Sequence, residues 1–373
     1  AEKLFGKNLN ISASQLEKFN LCRFSYFCNY GLNVRERQRA EINPMQYGTI
    51  VHYILERFFG EYTKEEYLSL EEDKFQKIVC AYLAEYAVKY FGEEQLESNS
   101  FTYRLKTILD NVMYLMKHIM EELSQSEFFV ADCELKIGED IPSYTIVLPD
   151  GHKIAVCGSV DRVDIMQRAD ITYLRIIDYK TGTKQFKLSD ILYGINLQML
   201  LYLHSIEASG GDKYGEIVPA GILYMPATVP YISSDSLKSI DKLPDELNKK
   251  LKMNGLLLKD TEIIHGMDKT DVATYIPVKI KAGEPVSSTS LATLAEFGKI
   301  FKKVDMLIAE MGKNIYNGNI EAKPLKGGHD SCEYCPYDSV CAYRQSNPIT
   351  CFSVDNKTVI EEITNEINGK EEE

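Results

Sequence analysis

The stretch Gly158-Ser159-Val160-Asp161-Arg162-Val163-Asp164-Ile165-Met166, followed at residues 172–182 by TYLRIIDYKTG, decides the fold of this chain. Both pieces are rich in Val, Ile and Tyr, and the second ends on the turn residues Thr181-Gly182, so both read as β-strands. In the second, Asp178 and Lys180 stand two apart and project to one face, with Tyr179 on the other. A carboxylate beside a lysine at a strand end suits metal-assisted phosphodiester hydrolysis. The carboxylate holds a hard divalent cation through oxygen, and the ammonium orients the attacking water. In the first piece Asp161 interrupts an apolar strand, where an acid is costly to bury unless it is paired or metal-bound, so it reads as a second ligand for the same ion. Asp164 has the opposite parity and is assigned to the far face, or to an ion pair with Arg162 or Arg168.

Outward from these strands the period of two persists. FVADCELKIG, YTIVL, HKIAVCGSVDRVDIM and TYLRIIDYKTG form a meander between about 129 and 180, with a turn at Pro149-Asp150-Gly151. A helix is expected over 189–208, where Gln198 and Tyr202 are four apart and share a face from which they can hydrogen-bond a phosphate or a metal-bound water. A strand, EIVPAGILYM, follows it. Upstream, Ser12 and Gln15 make a capping box that opens a helix carrying Cys22. Asn43 caps and Pro44 opens a second helix, on which His52 and Glu56 lie one above the other and His52 is a candidate imidazole ligand. Two amphipathic helices are expected over 64–91 and 99–125. Residues 227–285, with Pro230, Pro244 and the cluster Lys249, Lys250, Lys252, read as an irregular elaboration, and a long helix covers 288–317. The fold class is therefore α/β (α+β), a mixed central sheet flanked by helices. Its parts are a helical segment 1–126, a core 127–226, an elaboration with a long helix 227–317, a cysteine loop 318–351 and an acidic tail 352–373.

With 373 residues, 45% of them hydrophobic, the chain has room for one large domain or two modest ones and is neither disordered nor fibrous. Its formal net charge of −13 excludes a body that binds duplex DNA through bulk charge. Seven acids against two lysines from Asp355 onward read as a frayed or solvated end. No apolar run approaches the roughly 18 residues of a membrane span, and the opening AEKLFGKNLN lacks a secretory core, so the expectation is a cytoplasmic protein without a membrane partner. The missing initiator Met reads as a processed chain or a fragment of a longer one. Nine cysteines without a signal peptide imply reduced thiols. Cys80, Cys133 and Cys157 read as buried structural thiols, whereas Cys332, Cys335 and Cys341 form a dense CxxCx5C run with a Pro after the second.

Taken in order, GTIVHYILE with His52, GSVDRVD with Asp161, IIDYKTG with Asp178 and Lys180, and LQMLLY with Gln198 and Tyr202 resemble the RecB-like branch of the PD-(D/E)xK nuclease superfamily. The resemblance implies a restriction-endonuclease-like core in which His52, Asp161, Asp178 and the backbone carbonyl of Tyr179 bind Mg²⁺ or Mn²⁺. It also implies that Lys180 serves the nucleophilic water and that Gln198 and Tyr202 stabilise DNA or the active-site strand. Glu134 of CELKIG looks like a recurrent acid of that branch, with no role assigned. Cys22 together with Cys332, Cys335 and Cys341 resembles the split ligand set of the nuclease-bearing B subunits of AddAB-type helicase–nucleases. That implies a [4Fe–4S] cluster stapling segments 310 residues apart. Zinc on the same four thiolates is the alternative; Cys28 could replace Cys22, and Cys351 is left over. The implied activity is exonucleolytic or endonucleolytic hydrolysis of single-stranded DNA during double-strand break repair, leaving 5′-phosphate and 3′-hydroxyl ends, with an A-type helicase–nuclease subunit as partner. No G-x-x-x-x-G-K-[ST] loop occurs, so no motor is expected within these residues. Arg23, Arg35, Arg37 and Arg39 are the expected guides for DNA. A stand-alone iron–sulfur nuclease of CRISPR-type or repair pathways, and a catalytically silent DNA-binding module, are the alternatives.

Overall fold

The computed structural model describes residues 1–35, 44–182, 184–230, 232, 243–287, 289–341, 343 and 348–371. Its strands are β1 (Asn8–Ile11), β2 (Phe129–Ile137), β3 (Thr145–Val147), β4 (Lys153–Val156), β5 (Gly158–Arg168), β6 (Ile171–Lys180), β7 (Glu216–Pro226), β8 (Asn254–Leu258), β9 (Lys279–Lys281), β10 (Glu284–Val286), β11 (Leu291–Ala292), β12 (Leu325–Gly327) and β13 (Ile349–Cys351). The central sheet runs in the order β11-β8-β7-β6-β5-β2. β5 and β6 form a tight antiparallel hairpin, with Arg168 opposite Ile171. β6 and β7 are parallel, so the chain must cross over between them, and the helix Gln198–Ser209 makes that crossover. β8 returns antiparallel to β7. The mixed sheet flanked by helices is the expected class.

Local expectations were met unevenly. The strand expected through residues 152–166 breaks at Cys157, because β4 leaves the central sheet to pair in parallel with β1, a strand the sequence reading missed, while Gly158 onward joins β2 and β6. The Cys157 amide donates to the Ile11 carbonyl at 2.8 Å and fixes the break. The helix expected over 189–208 is a 3₁₀ segment, Leu188–Tyr193, and then a separate helix. Gly194 divides them with φ +68, and a Cβ there would sit 2.3 Å from the Asn20 side chain. The helix opened by the Ser12–Gln15 capping box ends at Leu21, and Cys22 is extended rather than helical. The 64–91 helix is two, Lys64–Leu68 and Glu72–Phe91; Asn99–Ser124 is continuous. The long helix begins at Leu294 behind its own capping box, Thr293 and Glu296. Residues 227–285 are more than an elaboration, since Asn254–Leu258 is a strand of the central sheet, too short to show a period. In the acidic tail, Val359 and Ile363 are fully buried, so the helix Asn356–Glu371 packs rather than frays. Pro44 opens its helix as expected, while Asn43 lies outside the described residues.

One apolar core runs from Leu9 to Ile363, and a small second cluster joins Ile195, Leu325 and Cys351. Among the described residues no helix is long and apolar enough to cross a membrane.

Candidate active site

The register of the β5–β6 hairpin assembles the site. Arg162 lies opposite Ile177, so the next residues outward, Asp161 and Asp178, meet at the strand ends on one face. Asp161 Oδ2 accepts the Tyr179 amide at 2.9 Å. On β2, Glu134 falls between the pairs Cys133–Arg162 and Leu135–Val160 and has φ +50, the left-handed region that a non-glycine residue seldom adopts. Its Oε1 lies 3.1 Å from His52 Nδ1, and its Oε2 accepts the Ser159 hydroxyl at 2.8 Å. His52 Nε2 is 3.7 Å from Asp161 Oδ2. Among the described residues, only His52, Glu134 and Asp161 bring three metal-competent donor atoms within 4.8 Å of one another. Asp178, nearly fully buried, pairs with the Lys180 ammonium, which also sits 5.7 Å from the centre of the Tyr224 ring.

The charges in this group are poorly balanced. Burial, reinforced by Asp178 and Glu134, pushes the Asp161 carboxyl up to about 7 against the opposing His52 and Tyr179 amide. Burial disfavours a charged His52, yet Glu134, Asp161 and Asp178 outweigh it and raise the imidazole above its ordinary value. Burial likewise opposes ionisation of Glu134, but His52 and Ser159 hold it below the usual carboxylate range. Crowded acids with one imidazole are a donor set for a hard divalent cation, which would stand where Asp161 otherwise holds a proton. If His52 Nδ1–H donates to Glu134, Nε2 is left free toward Asp161, the carboxylate–histidine–metal arrangement that fixes the ligating tautomer.

The second acid of GSVDRVD does different work. Asp164 is fully buried and accepts Arg162 at 2.7 Å and Arg175 at 3.0 Å, while Glu122 accepts Arg175 at 2.6 Å and Arg162 at 3.1 Å. Burial opposes the charge on Asp164, and the two guanidinium groups hold its pKa down. Arg168, the other expected partner, instead pairs with Glu127. Arg162 reaches the Tyr179 hydroxyl at 3.4 Å, so this network holds the ring of the residue whose amide binds Asp161.

A cleft of about 1160 Å³ opens over the site. His52 and Glu134 line it, with Tyr53, Tyr86 and Tyr90 from the helices Pro44–Glu61 and Glu72–Phe91, Lys180 from the end of β6, and Lys184 and Lys187 from the segment after it. Gln198 and Tyr202 are not among its lining residues. Tyr202 is buried, its hydroxyl facing the Ala13 amide, and a Cβ on Gly158 would come within 2.2 Å of that oxygen. The glycine of GSVDRVD thus makes room for the tyrosine of LQMLLY. Gln198 is half-buried at the first turn of its helix, next to Leu197, whose amide donates to Glu17 at 3.0 Å. Arg23 lies over the Phe19 ring and pairs with Glu310 at 3.6 Å, outside the cleft lining. Arg35 is exposed and also outside it, and Arg37 and Arg39 lie outside the described residues. Lys184 and Lys187 were missed in sequence although YKTGTKQFK is a visibly basic run, and the tyrosine wall had no one-dimensional signal because two helices share it.

Cys22, Cys332, Cys335 and Cys341 line one cavity of about 140 Å³, with Pro324, Ser331 and Asp338. Hydrogen bonds hold the cysteine loop to the N-terminal segment, where Lys18 also lies over the Tyr337 ring. The Ser331 hydroxyl donates to the Leu21 carbonyl at 3.0 Å, and the Tyr337 hydroxyl to that of Val34 at 2.7 Å. The Cys22 thiol, raised by burial, is faced by the amides of Ser25 and Phe24. Cys28 is buried within electrostatic reach of Cys335, Cys341 and Cys22 but does not line the cavity. Cys351 packs with Ile195 and Leu325 instead. Cys80, Cys133 and Cys157 are half-buried rather than buried.

Residues 10–342 match the family model described as the PD-(D/E)XK nuclease superfamily. Among similar proteins, the B subunit of the ATP-dependent helicase/deoxyribonuclease of Thermoanaerobacter sp. (strain X514) is 34% identical over 354 residues, covering 92% of this chain and 30% of its own length. The B subunits of the same name from Clostridium kluyveri (strain NBRC 12016) and Clostridium botulinum (strain Loch Maree / Type A3) are each 35% identical. They cover 100% and 91% of this chain and 33% and 30% of their own lengths. The chain thus spans about a third of the curated relatives it matches. With paired acids and a lysine on one hairpin and a family match over nearly its whole length, the chain belongs to the PD-(D/E)XK nuclease superfamily.

Proposed function

We propose that these residues form the nuclease-bearing part of an ATP-dependent helicase/deoxyribonuclease B subunit. They would hydrolyse phosphodiester bonds in single-stranded DNA during double-strand break repair, beside an A-type helicase–nuclease subunit and in the cytoplasm. The observation that carries the reading is the convergence of His52, Glu134 and Asp161 within 4.8 Å of one another, with His52 and Glu134 lining a cleft that Lys180 also lines. His52, Asp161, Asp178 and the Tyr179 carbonyl would hold Mg²⁺ or Mn²⁺, with Glu134 orienting His52. When bound, the cation supplies Lewis-acid polarisation of a phosphoryl oxygen and a more acidic water. The Lys180 ammonium, kept at the cleft by buried Asp178, orients the attacking water and offsets the negative charge that develops on it as its proton leaves to solvent. Tyr202 acts from behind, steadying the start of β5 through Gly158, and Gln198 stands at the first turn of the same helix. An acidic domain fits a nuclease fed by an attached motor better than one that must find DNA alone.

The four thiols that share one cavity would hold a [4Fe–4S] cluster, which when bound supplies a covalent clamp between the N-terminal and C-terminal segments. Four thiolates are what such a cluster requires, and zinc on the same four is the alternative that metal analysis distinguishes.

The test is cleavage of 5′-labelled single-stranded DNA by anaerobically purified protein with Mg²⁺ or Mn²⁺ against EDTA. Lys180→Ala is expected to lower cleavage at least about 100-fold while leaving the circular dichroism spectrum unchanged. Retained cleavage would remove Lys180 from the mechanism, and cleavage in EDTA would remove the metal.

A further inference from the structure

The cleft is lined by two unlike groups, and together they specify what form of polymer it accepts. One group is aromatic. Tyr86 and Tyr90, one turn apart on the helix Glu72–Phe91, have ring centres 4.4 Å apart at 34°, and Tyr53 on the neighbouring helix lies 5.2 Å from Tyr86. Tyr86 is buried and anchors the group, whereas Tyr90 is 55% exposed, a large ring left open at the mouth of the cleft. The Lys89 ammonium lies 5.0 Å from the Tyr90 ring centre and 6.0 Å from that of Tyr53, placing a cation among the rings. The Tyr53 hydroxyl donates to Glu85 at 2.7 Å, which orients its ring beside Tyr86. The same cleft is lined by a second, cationic group, Lys180, Lys184 and Lys187, of which Lys184 stands 5.1 Å from the Tyr224 ring centre, and by the acids Glu56 and Asp190. His52 and Glu134 line it too. The volume of about 1160 Å³ exceeds the ~300–1,000 Å³ of ordinary small-molecule pockets and suits a segment of polymer.

From this juxtaposition we propose that Tyr90, backed by Tyr86 and Tyr53, is a stacking platform for an unpaired nucleobase of the strand being cut, while Lys184 and Lys187 take its phosphates in the same cleft. An aromatic face can take a base only when that base is unstacked from its own strand, and a base inside a duplex offers no free face. The platform therefore selects single-stranded substrate at the step of binding, before any chemistry. The Lys89 ammonium beside the rings adds attraction for the strand and makes the platform salt-dependent. This inference rests on the nuclease reading for the identity of the polymer, but it concerns binding and is tested by binding.

The probe is a single-stranded oligodeoxynucleotide with 2-aminopurine placed at successive positions. It is titrated against the Lys180→Ala protein with Ca²⁺ in place of Mg²⁺ so that the strand stays intact. The expected result is quenching at one or two adjacent positions, lost in Lys180→Ala with Tyr90→Ala and retained with Tyr90→Phe. Affinity should fall about 5- to 100-fold in the alanine variant, and duplex of the same sequence should bind weakly to both. Val88→Ala, an exposed neighbour one residue from the platform lysine, serves as the surface control and should change neither quenching nor affinity. Absence of single-strand binding, equal quenching in the alanine and phenylalanine variants, or uniform quenching along the strand would overturn the platform. In parallel, the protein with Lys180 intact is assayed for cleavage in Mg²⁺ or Mn²⁺. Position-specific quenching by a protein that never cleaves would leave the platform standing and sink the nuclease reading. Cleavage indifferent to Tyr90→Ala, with unchanged affinity, would do the reverse.

Discussion

Glu134 shows how much one side chain can do without touching the reacting atoms. Its Oε1 meets His52 Nδ1 at 3.1 Å and its Oε2 takes the Ser159 hydroxyl at 2.8 Å, so both carboxylate oxygens are committed to neighbours. A positive φ of 50° at a strand residue is the cost of that placement. Glu134→Gln removes the charge that orients the imidazole, and Mn²⁺ affinity read by thermal shift is expected to fall about 10- to 100-fold. Unchanged affinity would mean that His52 is oriented by something else. Asp161, Asp178 and Lys180 were legible in sequence because strand parity depends only on counting. The role of Glu134 was not, because neither its φ nor the match of β2 to β5 is written in CELKIG. For Tyr202 the residue could be identified, but its position against Gly158 and behind the cleft could not.

The helix Gln198–Ser209 is pinned to Leu294–Tyr316 by a polar cluster with a definite pH signature. His204 Nε2 lies 3.0 Å from Asp305 Oδ1, which also accepts the Tyr144 hydroxyl at 2.9 Å, and the His204 ring stacks on Phe301 at 4.6 Å. Burial disfavours the imidazolium, yet Asp305 and Glu207 outweigh it and push His204 up to about 9. Because the folded-state value lies above the ordinary ~6.5, the stabilisation is fully present below pH 6.5 and is lost as pH rises through 9. It amounts to roughly 2–3 kcal/mol. Urea midpoints between pH 6 and 10 should therefore fall for the parent protein relative to His204→Gln, and parallel pH profiles would refute the assignment. Elements with strong internal periods were readable, as with the Asn99–Ser124 helix. Breaks were not, because the 3₁₀ turn before Gly194 and the kink at Cys22 answer to partners, Asn20 and the cysteine loop, far away along the chain.

Across the whole molecule, the cysteine loop closes a circuit of 310 residues onto the end of the first capped helix. That helix also sends Glu17 to the Leu197 amide and Asn20 to the Gly194 carbonyl at 3.0 Å, so one short element joins the thiol cavity to the crossover behind the active site. Cys341→Ser should release iron and acid-labile sulfide and lower unfolding free energy by about 2–5 kcal/mol, the scale of losing a long-range cross-link. Cys351→Ser, at a thiol outside the cavity, should retain the iron. Equal iron in both variants, or zinc in place of iron, would refute the cluster.

Two kinds of information separate in this chain. Local chemistry lay in the sequence itself: which acids and which lysine share a strand face, where a capping box opens the first long helix, and which three thiols stand apart from the rest. These follow from fixed periods of 2 and 3.6 residues and from side-chain identity, which need no partner to be read. Only the tertiary structure decided that β4 deserts the central sheet for β1, that Asn254–Leu258 joins it, that Glu134 turns onto His52, and that tyrosines from two helices line one cleft with lysines. Each of these depends on which distant segments compete to bury the same apolar surface and satisfy the same backbone groups. That competition is settled by the whole chain at once and leaves no mark in any single stretch of it.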